Sequence, residues 1–276
     1  MHSLTVAAIQ FAPRLGQVEA NRARTLELID SAAEKGAKLV VLPECSTSGY
    51  AFSDRSEIVG LAEPVPGRTV EIWHERAARH DIVIAGGLIE KSGDDFYNSS
   101  VVVTRDGLSG IYRKVHLWGR ERDLYREGTE AVVMDTPIGR IGIVICYDLW
   151  FPELSRSLAM MGADILVSPA NWAGNARLSN PYDRHGLPIG HHMAVAAAAF
   201  NERPVVVADR VGTENGLRFL GASCIVRHSG EVVAGSASHD DEQILVANVD
   251  IGPRKDAVQS NRQSRRPDVY RILGGQ

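Results

Sequence analysis

The sequence predicts an α/β protein whose strands are joined by crossover helices and whose sheets are covered by them. Short apolar runs alternate with helical segments, as in "LTVAAIQF", "NRARTLELIDSAAEKG", "AKLVVLP", "DIVIAGGLIE" and "NSSVVVT". Hydrophobic residues make up 44% of the chain and charged residues 23%, ordinary values for a chain that buries a core. One order of features also occurs twice: helix end, Gly-Ala, charged residue, apolar strand, proline, polar loop, in "EKGAKLVVLPECSTSGY" and again in "MMGADILVSPANWAGN". The 276 residues lie within the reach of one large α/β unit, and no low-complexity linker divides them. Residues 1–276 therefore read as a single domain with an extended C-terminal tail from about residue 251.

The first strand, "TVAAIQF", leads to a helix with Asn21 as a candidate amino cap, Leu26, Ile29 and Ala33 on one face, and Gly36 where a helix usually stops. "KLVVLPE" is the next strand. Further on, "AVVMDTPIGRIGIVIC" gives two strands around a "PIG" turn, and "PELSRSLAMMG" a helix with Pro152 suited to its first turn. "RPVVVADRVG" and "GASCIVRHSGEVVAGS" add strands. A duplicated βαβ unit would set both post-proline loops at the carboxyl ends of parallel strands, where open α/β sheets gather ligands. Chance likeness of two ordinary crossovers is the alternative.

Composition excludes several functions. A formal charge of −4 offers no footprint for nucleic acid, and the basic cluster "NRQSRRPDVYR" reads as a solvated tail or a subunit contact. No run approaches the roughly 20 apolar residues of a membrane span, and "MHSLTVAAIQFAP" lacks the pattern of a secretory signal, so the expectation is a cytoplasmic protein. Cys45, Cys146 and Cys224 are then expected as reduced thiols. "HGLPIGHH" holds His185, His191 and His192, but adjacent histidines on a strand point to opposite faces and no carboxylate completes a zinc motif. No metal or cofactor enters the reading.

Cys146 ends the strand "IGIVI" just before the helix beginning at Pro152. A strand, nucleophile, helix arrangement exposes the side chain at a tight turn, with backbone amides nearby to hold an oxyanion. The plainer reading is a small buried hydrophobe. No spacing singles out a histidine partner among His116, His185, His191 and His192. Glu44 at the end of "KLVVLPE" and Lys114 in "YRKVHL" carry little weight individually.

Taken together, "LPE", "YRKVHL" and "CYDLWFPE", in that order, resemble the carbon-nitrogen hydrolase family, the nitrilase superfamily. "AIQFAP", "GASCIVRHSGEVVA" and "RRPDVY" extend the likeness along nearly the whole chain. The resemblance implies a four-layer αββα sandwich of two mixed sheets covered by helices, and a homodimer or larger homo-oligomer. It implies Cys146 as nucleophile, Glu44 as general base and acid, and Lys114 as the cation beside the oxyanion, with the backbone of Tyr147 as a further donor. Glu121, before Gly128 in "ERDLYREG", looks like the family's second glutamate, orienting Lys114 and the substrate amide; Glu127 and Glu130 are its solvated neighbours.

The substrate implied is a small linear amide or N-carbamoyl amine, cleaved through a thioester. Tyr147 and Asp148 after the cysteine resemble the amidase-like branches, where true nitrilases carry tryptophan and glutamate. "WFPE" resembles carbamoylputrescine amidases and "NWAG" omega-amidase-like proteins, so the cues for substrate diverge. Leu149 and Trp150 stand where carbamoylases for amino acids place a carboxylate-binding arginine, leaving Arg177 or Arg184 as substitutes. Tyr50, Asn171 and Trp172, in the two loops after the repeated strands, are candidate pocket walls, as are Trp118 and Phe52. In "AAAAFNERPVVVADRVG" Phe200 stands where the family pattern has a glutamate, a departure that bears on local packing or a subunit contact and leaves Glu44, Lys114 and Cys146 untouched. The rivals are a nitrilase, an acyltransferase using the same acyl-enzyme, and a binding protein on this scaffold.

Overall fold

A computed structural model describes residues 2–174, 181–252 and 260–270. The first half runs β1 (His2–Gln10), α1 (Val18–Glu34), β2 (Leu39–Val41), α2 (Arg55–Ile58), α3 (Arg68–His80), β3 (Val83–Ser92), β4 (Asp95–Thr104) and β5 (Gly107–Arg113). A short α4 (Glu121–Leu124) precedes β6 (Val133–Thr136) and β7 (Gly139–Ile143), after which a 3-10 turn spans Cys146–Trp150. The second half continues with α5 (Pro152–Met160), β8 (Ile165–Pro169), α6 (Ile189–Asn201) and β9 (Val205–Ala208). A small hairpin of β10 (Thr213–Glu214) and β11 (Leu217–Arg218) leads to β12 (Cys224–Val226), β13 (Val232–Ala234) and β14 (Gln243–Ile251).

The strands form two six-stranded sheets, ordered β14-β1-β2-β3-β4-β5 and β13-β12-β9-β8-β7-β6. Each is built around a parallel trio, β1-β2-β3 or β7-β8-β9, with antiparallel strands on both flanks. The two echoing segments occupy equivalent places: Gly36 leads into β2 and Gly162 into β8, both at positive φ. Glu44 and Asn171 thus follow corresponding strands.

Alternation along β1 shows how the layers stack. Leu4, Val6 and Ala8 pack with Ile143, Val167 and Val206 of the opposite sheet, whereas Ala7, Ile9 and Phe11 pack with Leu28 and Ile29 of α1 and Trp73 of α3. On the far side, Leu154 and Leu158 of α5 and Ala194, Ala197 and Ala198 of α6 cover the second sheet. The result is the four-layer αββα sandwich. Each fully buried Ile, Val or Leu contributes roughly 1.5–3 kcal/mol relative to exposure, so both faces of each sheet are held by burial.

Three local expectations need correction. Helix α1 begins at Val18, so Asn21 lies within its first turns. Its side chain instead exchanges hydrogen bonds with the Arg14 backbone and donates to Thr47 O, tying the loop after β1 to the loop after β2. The buried stripe of α1 centres on Thr25, Leu28, Ile29 and Ala32, with Leu26 and Ala33 half-buried beside it. His191 and His192 belong to α6 rather than a strand; His191 is buried and His192 pairs with Asp183 at 2.9 Å. In the tail, Ser260 Oγ and the Asn261 backbone N–H donate to the Glu202 carboxylate just past α6.

Candidate active site

Glu44 follows β2 in a turn whose next residue, Cys45, has φ +47°. The turn lies directly on β3: a Cβ on Gly87 would stand 2.6 Å from Cys45 N and from Glu44 Cα. Only a residue without a side chain allows this approach. Ser46 N–H bonds Gly87 O at 2.9 Å, and Glu44 is carried into the interior with no exposed surface.

Lys114 leaves β5 with its N–H on Asn98 O at 2.9 Å, while its own carbonyl accepts from Gly128 N–H at 2.8 Å. Its ammonium donates to Glu44 Oε1 and to Glu121 Oε1, 2.7 Å in each case, in a fully buried site. Asn98 Nδ2 also donates to Glu44 Oε1 (2.6 Å) and to Glu121 Oε1 (3.3 Å), and Tyr50 OH donates to Glu121 Oε1 at 2.7 Å. Glu121 Oε2 accepts Trp118 N–H at 2.9 Å, which folds the segment after Lys114 back onto it. Glu127 and Glu130 are exposed.

Cys146 opens the 3-10 turn after β7 in the left-handed region, at φ +48°, a conformation that costs a non-glycine residue energy and must be held by its surroundings. Asp148 holds it. Asp148 Oδ2 accepts Ile145 N–H at 2.9 Å and Tyr112 OH at 2.8 Å, and Oδ1 accepts His116 N–H at 3.0 Å and faces His116 Nδ1 at 2.8 Å. The cysteine turn is thereby fastened to the segment carrying Lys114. The His116 ring stacks on Phe151 at 3.6 Å and serves this brace.

Burial sets the protonation of the group. It raises the Glu44 carboxyl to about 7; Lys114 pulls it down and Glu121 pushes it up, both by less than the loss of water. The Cys146 thiol is pushed well up, chiefly by burial and then by the Glu44 charge, while Lys114 and a hydrogen bond from the Asn171 backbone N–H draw it back. Burial alone would lower Lys114, but the attraction of Glu121 and Glu44 prevails and holds it well above an ordinary lysine. The resting state is a neutral thiol beside a carboxyl able to titrate near neutrality and a fixed cation.

Cys146 opens onto a cavity of about 260 Å³ whose walls include Tyr147, Asn171 and the rings of Trp118, Trp150 and Trp172. Trp172 is both wall and packing element, since a Cβ on Gly190 of α6 would meet its ring at 2.3 Å. Tyr50 and Phe52 line a neighbouring cavity of about 500 Å³ that shares Trp118, and Glu121 forms part of its wall. The expected site residues Glu44, Lys114 and Glu121 are thus in mutual contact, with Cys146 in their electric field; Tyr50 joins them through its hydroxyl. Arg184 is exposed and turned toward His185, and Arg177 lies outside the described residues. Phe200 sits beneath the Arg156 guanidinium at 5.5 Å, among the residues lining a different cavity. Among the described residues no cluster of three or more His, Cys, Asp or Glu is placed to hold a metal ion.

Sequence reasoning missed four supporting residues: Asn98, Asp148, Asp209 and Glu214. Asp209 Oδ1 accepts Trp172 N–H at 2.9 Å and so fixes the loop carrying Asn171. Glu214 Oε2 accepts the N–H groups of Tyr50 and Ala51 at 2.9 and 3.0 Å, and its other oxygen pairs with Arg210 at 2.7 Å. Of these, only Asp148 had a sequence signal: an acid in the turn immediately after the candidate nucleophile.

The family pattern of carbon-nitrogen hydrolases matches residues 5–256. A nitrilase of Pyrococcus abyssi is 38% identical over 248 residues, covering 89% of each chain. An N-carbamoylputrescine amidase of Solanum lycopersicum is 33% identical, covering 98% of this chain and 94% of its own. The crystal structure of a carbon-nitrogen hydrolase from Helicobacter pylori G27 superposes with a TM-score of 0.86 at 25% identity, over 100% of this chain and 99% of that one.

Proposed function

The chain belongs to the carbon-nitrogen hydrolase family, and on that premise we propose that it hydrolyses a small linear amide, or an N-carbamoyl amine, through a thioester on Cys146. The observation that carries this reading is the ammonium of Lys114 held 2.7 Å from both Glu44 and Glu121 beside a buried thiol at the foot of a cavity.

In the first step Glu44 takes the thiol proton as sulfur attacks the carbonyl carbon. The carbonyl π pair moves to oxygen, giving an oxyanion stabilised by the Lys114 ammonium and the backbone N–H of Tyr147. Collapse breaks the C–N bond, and Glu44 delivers its proton to the departing nitrogen, so ammonia or an amine leaves and a thioester remains. Water then attacks the thioester carbon while Glu44 accepts its proton. The C–S bond breaks, the proton returns to sulfur, and a carboxylic acid is released. A carboxyl raised to about 7 suits a group that must accept and donate in alternate steps. Assembly as a homodimer or larger homo-oligomer belongs to the same proposal.

The nitrilase from Pyrococcus abyssi favours nitrile hydrolysis as a second reading; the Tyr147-Asp148 pair after Cys146 favours amides. Ammonia release and intact mass, measured with short amides, ureas and nitriles on the wild type and on Glu44→Gln, test both. The expected result is ammonia from amides with the wild type and, on rapid acid quench of the wild type, a mass increase equal to the acyl group, mapped to Cys146; Glu44→Gln, lacking the base of the acylation step, should give neither. Turnover of nitriles alone would select the second reading; adducts elsewhere than Cys146 would overturn the mechanism.

A further inference from the structure

Gln10, Ser223 and Asp209, all fully buried, form a chain of hydrogen bonds between the two sheets. Gln10 closes β1, Asp209 follows β9 and Ser223 precedes β12. Gln10 Oε1 accepts the Ser223 hydroxyl at 2.9 Å and the Ser223 N–H at 3.1 Å. Ser223 Oγ in turn accepts the Asp209 N–H at 2.8 Å. The far end is anchored, because Gln10 Nε2 donates to Ser238 O and Asp241 O at 2.5 and 2.9 Å.

From Asp209 the chain turns toward the reaction site. Asp209 Oδ1 accepts two backbone N–H groups, that of Arg210 at 2.8 Å and that of Trp172 at 2.9 Å. Trp172 directly follows Asn171, whose backbone N–H donates to the Cys146 sulfur, and both residues wall the cavity onto which that sulfur opens. The Arg210 guanidinium is directed elsewhere, to Glu214 at 2.7 Å and Pro13 O at 2.9 Å. What Asp209 supplies to the loop is a hydrogen-bond acceptor.

Resting on the reading of Cys146 as the nucleophile, we infer that Asp209 is a positioning residue: by holding the N–H of Trp172 it keeps the preceding N–H, that of Asn171, on the sulfur, while Ser223 and Gln10 tie it to the sheet that carries Glu44. Peptide planes are rigid, so these two N–H groups are separated only by φ and ψ of Asn171, and fixing one limits the swing of the other. A hydrogen bond to an ionised group is stronger than one between neutral groups, so the thiolate gains more from this donor than the thiol does. Burial and the Glu44 charge push the thiol up, and the Asn171 N–H is one of the groups that oppose them. Glu44 and Asn171 follow strands of different sheets, and the chain from Gln10 to Asp209 keeps base and donor in register on one sulfur. Burial and the Glu44 charge also push the Asp209 carboxyl well up, so an amide of the same shape can take its place.

The test is alkylation of Cys146 by iodoacetamide in the full chain, located by peptide mass and followed across pH, with melting temperature as the folding control. Asp209→Ala removes the acceptor; alkylation near neutral pH should slow about tenfold or more, and its pH midpoint should move up. Asp209→Asn keeps an oxygen for both N–H groups and should be alkylated at least as fast as the wild type. Ser223→Ala leaves Asp209 in place, cuts its link to Gln10, and should slow alkylation about threefold. Glu44, Lys114 and Glu121, the charged groups acting on the thiol, are present in all three variants. An unchanged midpoint in folded Asp209→Ala overturns the inference, as does a loss in Asp209→Asn as large as in Asp209→Ala. If Asp209→Ala does not fold, a wild-type rate in Ser223→Ala overturns it. Alkylation needs no substrate, so its failure while the wild type still releases ammonia from amides strikes this inference alone. A wild type that releases no ammonia from any amide or nitrile removes the hydrolase reading, and this inference with it.

Discussion

Asn98 donates to Glu44 through Nδ2 at 2.6 Å, so the proposed base carries a neutral hydrogen-bond donor as well as the Lys114 ammonium on the same carboxylate oxygen. That oxygen is stabilised in its ionised form, while Oε2 is buried without a hydrogen-bond partner among the described residues, leaving it as the lone pair that would take a proton from sulfur.

The pH dependence follows. Burial lifts Glu44 to about 7, and as a proton acceptor it must be ionised, so kcat/KM should rise with pH along an acid limb centred near about 7. Asn98→Leu removes a donor that favours the ionised form, which raises the Glu44 carboxyl further and moves the limb to higher pH. Initial rates across pH, with melting temperature as the folding control, check this. A limb that stays in place or moves to lower pH would show that Asn98 does not tune the base.

Lys114→Met takes away the ammonium that two buried carboxylates share. Turnover should fall about 100-fold or more, as for loss of an oxyanion donor, and stability should fall by roughly 3–5 kcal/mol because two buried charges lose their partner. Single-turnover rates and urea midpoints measure the two effects separately. A folded variant keeping more than about a tenth of wild-type turnover would remove Lys114 from oxyanion stabilisation.

Asp148→Asn changes almost no volume but replaces one carboxylate oxygen with a donor. One oxygen accepts from Ile145 N–H and the other from His116 N–H, so whichever way the amide turns, its NH₂ group faces a backbone N–H. A stability loss of about 1–3 kcal/mol should accompany a fall in kcat, with KM little changed, because the turn presenting Cys146 loosens while the cavity walls remain. A variant with wild-type kcat would show that the left-handed turn is held without Asp148.

The α/β class, the crossover helices and the two echoing segments were legible in the sequence because periodicity and punctuation are local. Gly36 and Gly162 do end their helices at positive φ, and Pro152 does open α5. The amino cap of α1 was misjudged for a reason outside that segment: Asn21 is drawn to the backbone of Arg14 and Thr47, and the loop holding Thr47 arrives only when β2 pairs with β1. His191 and His192 were misassigned because an alanine-rich segment between two apolar strands carries no clear period of its own.

For the site, Glu44, Lys114, Glu121 and Cys146 were named through the family resemblance of the short patterns that hold them, "LPE", "YRKVHL", "ERDLYREG" and "CYDLWFPE". What no pattern could supply is who braces whom. Asn98, Asp209 and Glu214 look like ordinary polar residues until pairing of the strands sets them beside groups far away in sequence. The raised carboxyl of Glu44 is likewise a property of enclosure, because it arises from water removed by both sheets and from two neighbours that only the fold brings near. Residue types and their succession decided which chemistry is possible; the stacking of the layers decided the dielectric, the contacts and the cavity beside Cys146 in which it would run.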